Sequence, residues 1–166
     1  GSDSALKNIF DAFLNNGDKV YVLGPTYTQI NTFILSNGAE IYTHIPEDIW
    51  SVDVYNEVSS NTILSPSFYS IVYLNNPNNP TGVLYKVSSI SQLAKTFPDT
   101  LFVIDEAYYD FCRVTSKELV SLGNVIIVRT FSKAFGLAGL RLGYTIASNQ
   151  INDLLLKIRN GKDVNI

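Results

Sequence analysis

Phe68-Tyr69-Ser70-Ile71-Val72-Tyr73-Leu74 runs directly into Asn75-Asn76-Pro77-Asn78-Asn79-Pro80-Thr81-Gly82. The first stretch is a buried-strand pattern. The second can continue neither strand nor helix, because its prolines lack an amide proton and its Asn and Gly residues favour turns. A polar loop therefore sits at a strand's carboxyl end. The same arrangement returns twice: residues 101–104 read as a strand ending on Asp105-Glu106, and residues 124–128 as a strand ending on Arg129-Thr130-Phe131-Ser132-Lys133. Upstream, the run Lys19–Leu23 closes on Gly24-Pro25, a second short strand covers Glu40–His44, and residues 143–147 form a further strand candidate.

Helical patterns separate these strands. Leu6, Ile9, Phe10, Phe13 and Leu14 recur at three- and four-residue steps, which predicts an amphipathic helix over residues 4–16. Ser2, Asp3 or Ser4 is available as its N-cap, and Gly17 is placed to stop it. Further helices are expected up to Ser36, before the turn Asn37-Gly38, and over residues 88–97 and 151–158. Residues 45–66 show no clean period; a turn near Trp50 and one short helix are expected there. Strands alternating with helices predict one α/β domain, a three-layer sandwich with a mostly parallel sheet whose ligands gather at its carboxyl edge.

Composition narrows the function. Of the 166 residues, 46% are hydrophobic and 16% charged, which excludes a disordered chain. A net charge of −3 supplies no basic field for a nucleic acid backbone. The longest aliphatic run, Val125-Ile126-Ile127-Val128, falls far short of the ~20 apolar residues that span a bilayer. One cysteine and an opening Gly1-Ser2-Asp3 without a basic, apolar leader make the cytoplasm the expected compartment. His44 and Cys112 stand far apart, and no metal site is expected from them.

Three strand-end loops hold the residues with chemistry in them. Lys133 lies just past a buried strand beside the hydroxyls of Thr130 and Ser132. Desolvation there would favour its neutral amine, which can form a Schiff base with an aldehyde; a plain surface lysine is the alternative. Asp105 projects from a buried strand end, where a carboxylate needs a cationic partner such as a protonated pyridine nitrogen; an N-cap is the alternative. Asn79 and Tyr108 could hydrogen-bond a phenolate oxygen at the same rim. For a phosphate, Arg141, Thr130 and Ser132 are candidates, with the amino end of the first helix around Ser2 and Asp3. Glu106 is given no catalytic role.

Together, Asn76-Pro77-Asn78-Asn79-Pro80-Thr81-Gly82, Asp105-Glu106-Ala107-Tyr108 and Thr130-Phe131-Ser132-Lys133-Ala134-Phe135-Gly136-Leu137-Ala138-Gly139-Leu140-Arg141-Leu142-Gly143-Tyr144 form an ordered set. Asn79 and Asp105 are 26 residues apart, Asp105 and Lys133 28. The set resembles the class I/II aminotransferases of the fold type I pyridoxal phosphate enzymes, most of all the histidinol-phosphate aminotransferase branch. That resemblance covers nearly the whole chain. It implies that Lys133 carries the cofactor's aldehyde in Schiff-base linkage, that Asp105 meets the pyridine nitrogen, and that Asn79 and Tyr108 meet the phenolic oxygen. It also implies that Thr130, Ser132, Arg141, Ser2 and Asp3 hold the phosphate, while Tyr27 stacks on the ring. Ser4 departs from the branch's pattern, which has Glu there.

The resemblance further implies a homodimer, small-molecule amino acid and 2-oxo acid substrates, and a second, small domain carrying the substrate-gripping arginine. Residues 1–166 are expected to be the cofactor-binding core without that small domain. A phosphothreonine decarboxylase resembles the same motifs, and a cofactor-binding module without turnover is the reading from another class.

Overall fold

A computed structural model describes residues 1–60 and 68–158. Six strands form one sheet in the order β2-β1-β3-β4-β5-β6: β1 Lys19–Leu23, β2 Glu40–His44, β3 Ile71–Asn75, β4 Leu101–Asp105, β5 Val125–Thr130 and β6 Gly143–Ile146. The first five run parallel, and β6 pairs antiparallel with β5. Strands β3 and β5 are buried along their whole length, as an interior parallel sheet covered on both faces requires. Edge strand β2 has no fully buried residue.

Two apolar layers sandwich the sheet. Val20, Val22, Ile71, Tyr73, Val103, Ile126 and Val128 pack against α1 (Ser2–Phe13), α2 (Gln29–Leu35) and α6 (Asn149–Ile158). On the other face, Tyr21, Leu23, Val72, Leu74, Phe102, Ile104 and Ile127 meet α3 (Val54–Ser59), α4 (Val87–Thr96) and a short 3-10 helix, Lys117–Leu122. Alternate residues of one strand serve opposite layers, as the two-residue period of a strand dictates. The expected three-layer α/β sandwich is the observed one. No helix among the described residues is long and apolar enough to cross a membrane.

Several boundaries differ from expectation for physical reasons. Helix α1 starts at Ser2 with Gly1 at its cap and no side-chain cap bond, so Ser2, Asp3 and Ser4 lie inside the first turn. The cause is long-range: a Cβ built on Gly143 would lie 2.6 Å from the Gly1 carbonyl carbon and 2.7 Å from Ser2 N. Only a bare backbone at position 143 lets the start of α1 dock on β6. Gly17 turns the chain with φ +83°, but the helix has already ended at Leu14, which is extended.

Strand β3 begins at Ile71; ahead of it the Ser70 backbone still bonds to Lys19 O and Leu101 N, while the Tyr69 ring packs edge-on against Tyr21 and Tyr42. The short helix expected within residues 45–66 is α3, capped by the Asp53 carboxylate, which accepts from Tyr55 N at 3.1 Å. Residues 61–66 of that stretch lie outside the described residues. Strand β5 runs on through Arg129 and Thr130, because Thr130 pairs with Gly143 of β6.

Candidate active site

The chain order places β1 and β3 side by side, with β2 on one flank and β4 to β6 on the other. Loops leaving β1 and β3 therefore diverge, opening a crevice at the carboxyl edge, the usual ligand position in such sheets. The cleft found there is lined by Ser2, Asp3, Tyr27, Asn75, Asn79, Asp105, Ala107, Tyr108, Ser132, Lys133 and Arg141. Nine of these are residues singled out from the sequence, now on one cleft wall from six separate stretches of chain.

Asp105 is the buried ionisable member, 3% exposed at the end of β4. Its Oδ2 accepts from the Tyr73 phenol at 2.9 Å and its Oδ1 from Ala107 N at 3.1 Å. Burial pushes its carboxyl up to about 6, against the lowering effect of those two hydrogen bonds, with the Asp3 and Glu106 charges adding to the rise. No ion pair with Lys, Arg or His reaches it among the described residues. The site thus presents a carboxylate whose charge is uncompensated, which suits a cationic heterocyclic nitrogen.

Lys133 is exposed, so the desolvation expected for it is not supplied by the described residues. Its Nζ lies 5.5 Å from the Tyr108 ring centroid, a cation–π contact, and makes no hydrogen bond among the described residues. The amine is held loosely over an aromatic face at the cleft wall.

At the opposite end, Arg141 follows the 3-10 turn Ala138–Leu140 in a left-handed conformation with φ 52°, which non-glycine residues rarely adopt. Its Nη2 donates to Asp3 Oδ2 at 2.9 Å, and its carbonyl accepts from the Gly1 amino group. Asp3 Oδ1 also accepts from the Tyr27 phenol at 3.1 Å. Burial, followed by the Asp3 charge and hydrogen bond, pushes the Tyr27 phenol up to about 12. Asp3 therefore ties the ring of Tyr27 to the guanidinium of Arg141.

Thr130 is the predicted residue that the structure leaves out of the cleft lining. It is 4% exposed; its Oγ1 lies 3.0 Å from Ser132 Oγ and 3.2 Å from Leu142 O, and accepts from Ser132 N at 3.1 Å. Its hydroxyl supports Ser132 from behind. Sequence reasoning missed Asn75, 2% exposed, whose Oδ1 accepts from Asn79 N at 2.8 Å and whose Nδ2 donates to the Asp105 carbonyl at 3.0 Å. It also missed Tyr73.

Glu106 turns away from the cleft. It pairs with Arg129 at 2.9 Å and accepts from Ser116 N and Thr115 Oγ1, while Arg129 stacks 3.6 Å from the Tyr109 ring centroid. Among the described residues no group of three His, Cys, Asp or Glu is placed to hold a metal.

The donor set fits a phosphate-bearing pyridine aldehyde: an amine, a buried carboxylate awaiting a cation, and a guanidinium beside a helix start and the Ser132 hydroxyl. Residues 1–161 match the family described as Aminotransferase class I and II. The chain belongs to that family. Over most of its length the chain is similar to histidinol-phosphate aminotransferases of that family. It is 38% identical over 165 residues to a dihydroxyacetone phosphate transaminase of Campylobacter jejuni, covering 99% of this chain and 44% of that protein.

A histidinol-phosphate aminotransferase of Geotalea daltonii is 37% identical, with 96% and 44% covered. The crystal structure of histidinol-phosphate aminotransferase from Sinorhizobium meliloti in complex with pyridoxal-5'-phosphate superposes with a TM-score of 0.84 at 31% identity, over 96% of this chain and 44% of that one. L-threonine-O-3-phosphate decarboxylase from Porphyromonas gingivalis gives 0.83 at 26%, over 100% and 50%. The chain spans about half, or less, of the length of these relatives.

Proposed function

We propose that the protein carrying this chain is a pyridoxal-phosphate-dependent aminotransferase, moving an amino group between an amino acid or amino phosphate ester and a 2-oxo acid. The observation that carries this reading is the meeting of Lys133, Asp105, Tyr108 and Arg141 on one cleft, with Asp105 buried and lacking a cation. When bound, pyridoxal phosphate supplies an aldehyde and an electron-withdrawing ring.

The chain's own residues would do the rest. Lys133 Nζ would hold that aldehyde, and as a free amine it would take a proton from the substrate carbon and return one as general base and acid. Asp105 would keep a proton on the ring nitrogen. Asn79 and Tyr108 would donate to the phenolic oxygen, and the Tyr27 ring would pack against the heterocycle. Ser132, Arg141 and the backbone amides at Ser2 and Asp3 hold the phosphate, with Thr130 orienting Ser132.

Lys133 and Arg141 are the cations lining the cleft among the described residues, and both have roles here. The groups that grip the substrate are accordingly assigned to the remainder of the whole protein, as a homodimer, and the 166 residues by themselves to binding without turnover. Adding pyridoxal phosphate, reducing with borohydride and locating the adduct by mass spectrometry tests the reading; an adduct on any residue other than Lys133 refutes it.

The likeness to L-threonine-O-3-phosphate decarboxylase over the entire chain supports a second reading, decarboxylation of a phosphorylated amino acid. Carbon dioxide release from phosphothreonine separates the two.

A further inference from the structure

Tyr73 has no place in the reading above, yet it touches the most consequential group in the cleft. The parallel register pairs Tyr73 with Val103 and Asn75 with Asp105. Side chains two residues apart on a strand share a face, so Tyr73, Val103 and Asp105 all point into the layer beneath α1. Tyr73 thus sits diagonally behind Asp105, at a reach that suits a tyrosine across neighbouring strands. It is fully buried, and its phenol donates to Asp105 Oδ2 at 2.9 Å.

We propose that Tyr73 is a positioning residue: its phenol fixes one oxygen of the Asp105 carboxyl from inside the core and favours its ionised form, setting the group that faces the heterocyclic nitrogen. This rests on the proposed pyridoxal phosphate reading and adds a residue to it.

Two features make the phenol suited to the task. Burial, then the Asp105 charge and the hydrogen bond to it, hold the Tyr73 phenol well above its ordinary value, so it stays a donor while Asp105 titrates. The Ala107 amide takes the other oxygen, and with one donor on each oxygen the carboxyl cannot rotate, while each oxygen keeps a lone pair for a further proton. The charges that raise the Asp105 carboxyl are Asp3 on α1 and Glu106 beside it, Tyr27 after β1 also feels its charge, and Lys133, Arg141 and Tyr108 are the other titratable groups of the same cleft wall. No ion pair joins either cation to Asp105 among the described residues. Tyr73 and Ala107 are therefore the neighbours that favour its charge.

Tyr73→Phe keeps the ring and removes the donor. In the whole, cofactor-free protein, carboxyl-13C NMR, with Asp105 assigned by the resonance lost in Asp105→Asn, should show the Asp105 midpoint moving up from about 6. Pyridoxal phosphate affinity at neutral pH should fall about tenfold, as expected for losing a hydrogen bond to a charged group. Added to Asp105→Ala, the same substitution should change affinity less than about threefold, because its effect runs through the carboxylate.

An unmoved Asp105 midpoint in Tyr73→Phe overturns the proposal. So does a loss that is fully additive with Asp105→Ala, which would mark Tyr73 as merely structural. Circular dichroism of each variant excludes misfolding, and should Tyr73→Phe fail to fold, 3-fluorotyrosine at position 73, a stronger donor, must move the midpoint down. If the wild-type protein binds no pyridoxal phosphate, the functional reading falls, while the NMR midpoint still decides the role of Tyr73.

Discussion

Arg141 and Asp3, 138 residues apart in the chain, meet at 2.9 Å across one end of the cleft. Both side chains are substantially exposed, so the pair contributes at most about 1 kcal/mol to folding. On the proposed reading its weight lies elsewhere, in presenting a guanidinium to the cofactor's phosphate.

Arg141→Ala should therefore shift thermal unfolding of the cofactor-free protein by only a few degrees, yet weaken pyridoxal phosphate binding about tenfold or more. Titration of the cofactor's absorbance measures the second, and inorganic phosphate should compete with cofactor in the wild type and hardly at all in the variant.

Lys133→Ala should leave folding unchanged, because the side chain is exposed and makes no hydrogen bond among the described residues. Amino transfer in the whole protein should fall by about 10²–10⁴-fold, the usual worth of a positioned proton-transfer group, and further through loss of the covalent attachment. A borohydride-stable adduct should vanish with it.

Asp105 makes stability depend on pH with a definite sign. Its folded value, about 6, lies above the ordinary carboxylate value of about 3.9, so between those limits the folded state binds the extra proton. Below about pH 4 the group is neutral in both states and costs nothing; as pH rises through 6 the cofactor-free fold loses stability, on the order of 3 kcal/mol. Asp105→Asn removes that slope. Denaturant melts from pH 4 to 7 should show the variant gaining on the wild type from about pH 4 to 6 and levelling off above it.

Breaking the Glu106–Arg129 pair has the opposite character to loss of Arg141. Glu106 is 1% exposed, and Arg129→Met leaves its carboxylate buried without a counter-charge. A loss of about 3–5 kcal/mol is expected, seen as a lower denaturant midpoint. The accompanying double change, with Glu106→Gln, should recover part of it.

Much of this was legible because local signals and tertiary demands agree. The runs Lys19–Leu23 and Glu40–His44 are bounded by Gly and turn residues, and their observed limits are those read from the sequence. The cleft residues cluster because each follows a strand whose carboxyl end lies on one sheet edge. What was not legible depends on long-range pairing. Tyr73 reads as one more core aromatic until the β3–β4 register sets it behind Asp105. Thr130 reads as a loop hydroxyl until pairing with Gly143 draws it into β5. The exposure of Lys133 depends on what surrounds the cleft, a property no local window encodes.

The bare position at Gly143 gives the molecule an internal check on its own assembly. Lys133 and Asp105 take their places from neighbouring strands, but the anion end of the cleft exists only after residues 1 and 141, at far-apart points of the chain, have come into contact. On the proposed reading, a copy that has built its sheet without seating its first helix would have the amine and no seat for a phosphate. Cofactor capture would then withdraw only finished copies from the folding equilibrium, so loading would double as quality control.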